Sequence, residues 1–432
     1  MTQPATTPSR AVHDPTFANR MRLVAAQLLC GVGIASGVAV GGVLAEKLSG
    51  VMGVAGFAQT ASIVGAGLMA IPLARLAVRH GRRWSLTLGF TTAAVGAVLI
   101  LIAAATDQFW LYLVAMVLFG SGTATNLQSR YAAMEFSRPG AEARSMSIVL
   151  WATTVGSIAG PNLSAPGAAV GTAFGLMPLS GPYLFSLVGF VLAAVVTLGI
   201  RPLAGHRPGN DPAPADAPSV GALSALHLAL RAPQAVFAIA CIVAGQMMMT
   251  AVMVMTPVSM NNDGMSLEIV GIVISVHIVG MYAASPVFGW LTDKTSPQTV
   301  AWLGAALFVC SFALGAWDGA SGHSAMPRLM VALLLLGLGW SACLIGGSAM
   351  LVESVPAHIR VPLQGGVDAS MNFGAAALGA LAGPVLALGG FFAVNVMAAV
   401  VLAALVGAGI RAAVRRSAGA AGTIEAAAAR ED

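Results

Sequence analysis

Twelve apolar runs, each about as long as a bilayer is thick, constrain this chain more than any motif in it. They fall at 22–45, 51–74, 84–105, 109–134, 145–170 and 180–200, then at 232–258, 267–290, 298–317, 326–351, 362–387 and 390–412. An α-helix needs about 20 apolar residues to cross about 30 Å of hydrocarbon. Lipid offers backbone groups no partners, so a spanning segment must satisfy them internally, as a helix does. Of the 432 residues, 57% are hydrophobic and only 9% charged, against roughly a quarter charged in a soluble domain. Too little polar surface remains to keep such a chain in water. The expected fold is all-α and polytopic, with twelve transmembrane helices in two groups of six.

The basic residues test that count. If both termini lie on one side, every Lys and Arg except Lys47 and Arg328 falls on that side. Such residues collect on the cytoplasmic face, and one miscounted helix would scatter the pattern. Both termini are therefore expected in the cytoplasm. The net charge of +5 then reports topology and not a nucleic-acid partner. Lys47 and Lys294 are the only lysines, amid abundant Ala and Gly, a composition that points to a GC-rich bacterial genome and so to a bacterial inner membrane. No short apolar region with a cleavage site precedes the first run, which is expected to act as an uncleaved anchor. Cys30, Cys241, Cys310 and Cys343 all lie inside apolar runs. Their spacing fits neither a zinc site nor a thiol-redox motif, and they read as small hydrophobes.

The expected organisation is a cytoplasmic tail at 1–21, a six-helix bundle at 22–200, a linker at 201–231, a second bundle at 232–412 and a tail at 413–432. The linker holds Pro202, Pro208, Pro212, Pro214 and Pro218 among small and polar residues, which favours extended chain. Residues 220–231 have amphipathic spacing and could form a short helix lying on the membrane face.

The two bundles repeat one another. A basic turn at Leu76–Arg83 returns at Leu291–Gln298, matching Leu76 to Leu291 and Arg79 to Lys294. Gly120 and Gly122 echo Gly337 and Gly339, and Gly156, Gly160 and Pro161 echo Gly379, Gly383 and Pro384. Both halves begin and end on the same side, so the repeat is parallel, about an axis along the membrane normal. That relation is expected between two six-helix halves around a central cavity in a rocking carrier.

These residues resemble the major facilitator superfamily over essentially the whole chain. Its loop between helices two and three reads Gly-x-Leu-Ala-Asp-Arg-x-Gly-Arg-Arg/Lys. The first copy here keeps Leu76, Ala77, Arg79, Gly81, Arg82 and Arg83 but has Ala74 for the leading Gly and Val78 for the Asp. The second copy keeps Gly289, Leu291, Asp293 and Lys294. Gly156–Pro161 is similar to the fifth-helix motif of the drug–proton antiporter branch, with Ser164 and Ala165 where its last glycines would stand. It also serves as a plain helix-packing motif, in both halves. The arginine-and-glycine pattern that branch carries in its fourth helix does not stand out.

The resemblance implies a cytoplasmic gate built from Arg79, Gly81, Arg82, Arg83, Arg144, Asp293, Lys294, Glu353, Arg360 and Asp368. Asp368, at the start of the eleventh helix, would supply the carboxylate that Val78 lacks and pair with an arginine of the first loop, or else simply cap its helix. Asp293 and Lys294 would lie by the start of the fifth helix, near Arg144. Glu353 and Arg360 would lie near the same face, mirrored by Glu135 and Arg138 in the first half, in inter-half or intra-loop ion pairs. Charge buried in a membrane is costly and usually functional, so His277 and Asp368 are the candidates for proton coupling. His277 has an unperturbed pKa of about 6.5; the alternative is a neutral ring bonded to a neighbouring helix. Arg130 either snorkels to the interface or reaches into the cavity, where it would favour anionic substrates.

Helices one, four, seven and ten line the cavity in this superfamily. Here they supply Gln27, Asn126, Gln246, Met249, Met253 and Trp340, a lining with few charges. Methionine is common on promiscuous binding surfaces, and also in simple cores. The implied function is secondary active transport by alternating access: proton-coupled efflux of a small hydrophobic compound, or import of a metabolite such as a vitamin or organic acid. A transport-dead receptor is the third reading. No nucleophile, metal or nucleotide-loop constellation argues for an enzyme or a cofactor. The expected partners are a small-molecule substrate, protons and the lipid bilayer, with the chain acting as a monomer.

Overall fold

The computed structural model describes residues 15–51, 54–201, 220–265, 267–321 and 325–428. Among these residues the fold is helical throughout, without strands. The first bundle holds α1 (Pro15–Ser49), α2 (Ala55–His80), α3 (Arg82–Ala105), α4 (Phe109–Phe119), α5 (Ser121–Glu135), α6 (Glu142–Asn162), α7 (Ser164–Ala173) and α8 (Pro182–Leu198). A short helix, α9 (Ala222–Ala229), precedes the second bundle of α10 (Pro233–Asn262), α11 (Leu267–Tyr282), α12 (Ser285–Lys294), α13 (Pro297–Ala320), α14 (Met326–Glu353) and α15 (Ala357–Ala428).

Among the described residues, ten helices or helix pairs are long and apolar enough to cross a membrane. One of them, Ala357–Arg415, has 59 residues. At 1.5 Å per residue it would run about 90 Å, three bilayer cores end to end. It is broken at Gly389 (φ −144°) and Gly390 (φ +63°), a left-handed position that suits glycine, and so makes two passes. A further pass is divided between α6 and α7, at Leu163. α4 with α5, and α11 with α12, each form one interrupted pass. The chain is a multi-pass membrane protein.

Each half packs its own interior. Leu23, Phe90, Phe119, Tyr183 and Phe190 lie in one buried cluster, and Phe237, Phe308, Leu333, Trp340 and Phe391 in another. The clusters are not separate everywhere. Tyr131, Met134, Met146 and Leu150 of the first bundle join the cluster of the second. All four lie toward the end of the molecule that carries the basic turns, and there the halves close on each other, α2 against α15 and α6 against α12.

Of the linker, residues 202–219 lie outside the described residues. Within α9, Ala222, Ala225 and Ala229 are buried against the second bundle while Leu223 and Leu230 are exposed. The amphipathic helix expected at 220–231 therefore forms, small side chains inward.

Candidate functional site

The α6–α12 seam is built around backbone. The first N–H groups of a helix lack intrahelical acceptors and carry the positive end of its dipole. Asp293, at the end of α12, accepts from the N–H of Ala143 at 3.0 Å and of Arg144 at 2.9 Å. It thereby caps α6 from the opposite half. The repeat placed Asp293 beside Arg144, and the hydrogen bond it makes there is to the Arg144 backbone, the residue itself being exposed. Gly289 lies against Ser147 so closely that a Cβ there would collide with its side chain.

At the α2–α15 seam the same closeness is achieved with the small residue on the other side. Ala74 occupies the position equivalent to Gly289, and it packs against Gly365 of α15, where a Cβ would collide with the Ala74 methyl. No carboxylate replaces Val78 on α2. Instead Arg82 grips Glu135 through Nε at 3.0 Å and reaches across the seam through Nη2 to Gln364 Oε1 at 2.7 Å. One helical turn further along α15, Asp368 meets Arg130 of α5, Nη2 to Oδ1 at 2.5 Å, both side chains fully buried. Arg130 Nη2 also donates to the Tyr131 hydroxyl at 3.0 Å, and its guanidinium lies 4.6 Å from that ring centroid.

Three expectations are corrected here. Asp368 does not pair with Arg79, Arg82 or Arg83; its partner is Arg130. Arg130 does not snorkel, because closure of the two halves covers it completely. Glu135 binds Arg82 of its own half, where an inter-half or intra-loop pair was expected. Of the remaining gate candidates, Gly81 turns α2 into α3 at φ +85° and donates its N–H to Ala77 O at 2.9 Å. Arg79 is exposed. Arg83 and Lys294 lie over Trp84 and Trp290, at 5.2 and 4.8 Å from the ring centroids. Glu353 is exposed, and Arg360 donates to Val355 O at 3.2 Å.

The candidate cavity residues form two polar groups. In the first bundle Gln27 is buried and donates to Asn126 O at 3.3 Å and to Thr153 Oγ1 at 3.4 Å. In the second, Trp340 Nε1 donates to Gln246 Oε1 at 2.7 Å, and the Tyr282 ring sits edge-on to Trp340 with centroids 5.6 Å apart. Met249 is buried and Met253 partly buried on the same helix as Gln246. His277 is buried and donates from Nδ1 to Leu333 O at 2.8 Å, tying α11 to α14. This is the helix-bridging arrangement foreseen as the alternative to a proton site. Among the described residues no His, Cys, Asp or Glu group is arranged to hold a metal.

With the seam and the polar groups in place, the comparison with known families is decisive. The Major Facilitator Superfamily profile matches residues 23–261 and, separately, 236–429. The chain belongs to the Major Facilitator Superfamily. An uncharacterized MFS-type transporter of Bacillus subtilis strain 168, YdeG, is 32% identical over 86% of this chain and 86% of its own length. The riboflavin transporter RfnT of Brucella anthropi is 28% identical over 83% of this chain and 86% of its own. In fold, the chain superposes on the E. coli transporter FucP in its outward conformation with a TM-score of 0.68 and 16% identity, covering 91% of this chain and 98% of FucP. Members of this superfamily are transporters, and the chain is not an enzyme.

Within this superfamily member the glycine motif of the fifth helix and its echo differ. Gly156 presses on the backbone of Gly31 and Val32 in α1, leaving no room for a Cβ. The side-chain surroundings of Gly160 and Pro161 lie outside the described residues. In the second half a Cβ at Gly383 would meet nothing, and one at Gly379 only Thr250 at ordinary contact distance; Pro384 is exposed. Gly379, Gly383 and Pro384 are not a helix-packing motif, contrary to the expectation from the repeat.

Proposed function

We propose that the chain is a proton-coupled secondary transporter of the bacterial inner membrane, with its basic end and both termini in the cytoplasm. It works by alternating access, and the seam at the basic end is its inner gate. The observation that carries this reading is the fully buried Arg130–Asp368 pair joining the two halves. A buried ion pair contributes little net stability against well-packed apolar residues, but losing one partner costs several kcal/mol. Its use is as a bolt that holds while both partners keep their charge and opens when a proton takes one charge away. Asp368 is thus the coupling group, and His277 a structural one.

The substrate is a small, largely apolar compound held between the Gln27–Asn126 group and the Gln246–Trp340 group, with Met249 and Met253 adapting to its shape. Uptake is favoured by the likeness to RfnT, which is described as a riboflavin transporter. Efflux of a hydrophobic compound is the second reading, favoured by the Gly156 contact, the part of the antiporter-like motif that packs. Proteoliposomes with an imposed pH gradient test both. Accumulation toward the alkaline side shows symport and toward the acidic side antiport, and a carrier that ignores the gradient overturns the proton-coupled reading.

A further inference from the structure

Arg130 does two visible jobs with one nitrogen. A guanidinium carries five N–H groups, yet both the bond to Tyr131 and that to Asp368 come from Nη2. Nε and Nη1 are sealed from solvent with no acceptor, and Asp368 Oδ2 is sealed with no donor. Buried donors on a charged group are seldom left unmatched, because the cost is high. The planar fork of arginine suits carboxylate and phosphate alike, and of the two a carboxylate carries the single charge that one proton balances. The buried neighbours along the two helices are mixed: Leu127 and Met134 on α5 and Val367 and Met371 on α15 are apolar, while Asn126 on α5 and Gln364 and Asn372 on α15 are polar.

We propose that Arg130 docks an acidic group on the substrate, a monocarboxylate in class, and that Asp368 takes up one proton as it docks. The inference rests on the transporter reading and narrows its substrate. In the bolted state Arg130 and Asp368 sum to zero charge. When the substrate carboxylate takes over the guanidinium and the proton sits on an Asp368 oxygen, the sum is again zero. The Arg130–Asp368 ion pair breaks, the Arg130–substrate pair forms, and no bare charge stays buried. Either event alone leaves one net charge in the seam, which disfavours opening by a factor on the order of a hundred. Both arrive or neither does: one proton and one anion move together, electroneutrally.

The groups around Asp368 fit this assignment. α5 presents Arg130 and Tyr131, and α3 presents Arg82, itself matched by Glu135. α2 lays Ala70 and Ala74 on Gly365, α10 brings Met247 to Gly374, and α9 brings Ala222 to Gly366. Among the described residues the other carboxylate of this group, Glu135, is held by Arg82.

The test uses the full chain in nanodiscs with Ser147→Cys as a reporter, since Ser147 is buried in the α6–α12 seam and becomes alkylable only when the gate parts. Acid and amide pairs (octanoate and octanamide, benzoate and benzamide, decanoate and decanamide) are added at pH 6 and pH 8, with proton uptake followed in weak buffer. At least one acid should raise labelling tenfold or more at pH 6 and far less at pH 8, taking up one proton per molecule bound, while its amide does nothing. Arg130→Gln should lose the response and Arg130→Lys retain it at weaker affinity, which separates a docking role from a folding one. Asp368→Asn should respond to acids without proton uptake. Amides opening the seam as well as acids, acids acting undiminished on Arg130→Gln, or silence across all acids would each overturn the proposal. A neutral compound that opens the seam and is transported would leave the transporter reading intact while removing the acid; a seam that no compound or pH opens would remove both.

Discussion

Arg130 and Asp368 meet across the two halves of the molecule with neither side chain open to solvent. Removing one partner should therefore hurt more than removing both. Arg130→Met or Asp368→Leu alone should lower stability in detergent by about 3–5 kcal/mol, and the double variant by clearly less. Thermal unfolding followed by tryptophan fluorescence checks this, and the double variant should be folded but inactive. A double variant as unstable as the sum of the singles would mean the pair is not a unit.

Asp293 caps α6 from the other bundle, so its loss should loosen one seam only. Asp293→Ala is expected to weaken closure by about 1 kcal/mol, the usual value of a helix cap, and Asp293→Asn by less, since one acceptor oxygen remains. Alkylation of a cysteine at Ser147 should speed up about fivefold in the Ala variant. Equal labelling in both variants and the parent would show that the cap does not hold the seam.

Ala74 and Gly365 share room for a single methyl group between them. Gly365→Ala should cost about 1–3 kcal/mol through overpacking, and adding Ala74→Gly should recover most of it. Transport rate and thermal stability should move together in this series. Failure of the second change to rescue the first would disprove the close approach of α2 and α15.

Trp340 and Gln246 are hydrogen-bonded next to Tyr282. Trp340→Phe keeps an aromatic ring but removes the donor, a loss of about 1 kcal/mol. If the pair shapes the substrate site, KM should change about fivefold while the melting temperature stays nearly constant. Unchanged KM with a lower melting temperature would instead make the bond structural.

His277 joins α11 to α14 through Leu333 O. His277→Gln should lose about 1 kcal/mol of stability yet keep the pH dependence of transport. Loss of that dependence would move the proton site from Asp368 to His277.

The number of passes and their pairing into halves were legible because lipid permits few alternatives: length and periodicity of apolar runs nearly determine a helix bundle. Asp293 at the head of α6 was legible too, since the repeat transferred the position from one half to the other. The partner of Asp368 was not. Arg130 lies close enough to the end of α5 to be counted with the basic face, and only the packing of α15 against the first bundle covers it. The echo between Gly156 and Gly379 misled for a related reason. Sequence similarity between the halves shows common descent of the position, whereas a tight crossing depends on the neighbour, and Gly379 has only Thr250 nearby. Gln364, which ties α15 to Arg82, carries no motif and could be found only by placing it one turn before Asp368.

The last two passes are joined through two non-helical residues, Gly389 and Gly390. Most consecutive passes in this chain are separated by a turn that can absorb a change of tilt. Here the helix bearing Asp368 passes to the one that follows through two non-helical glycines, the first point beyond the seam at which a change in its tilt could be absorbed. A residue bulkier than glycine at 390, where φ is +63°, would strain this turn and restrict the angle between the last two passes.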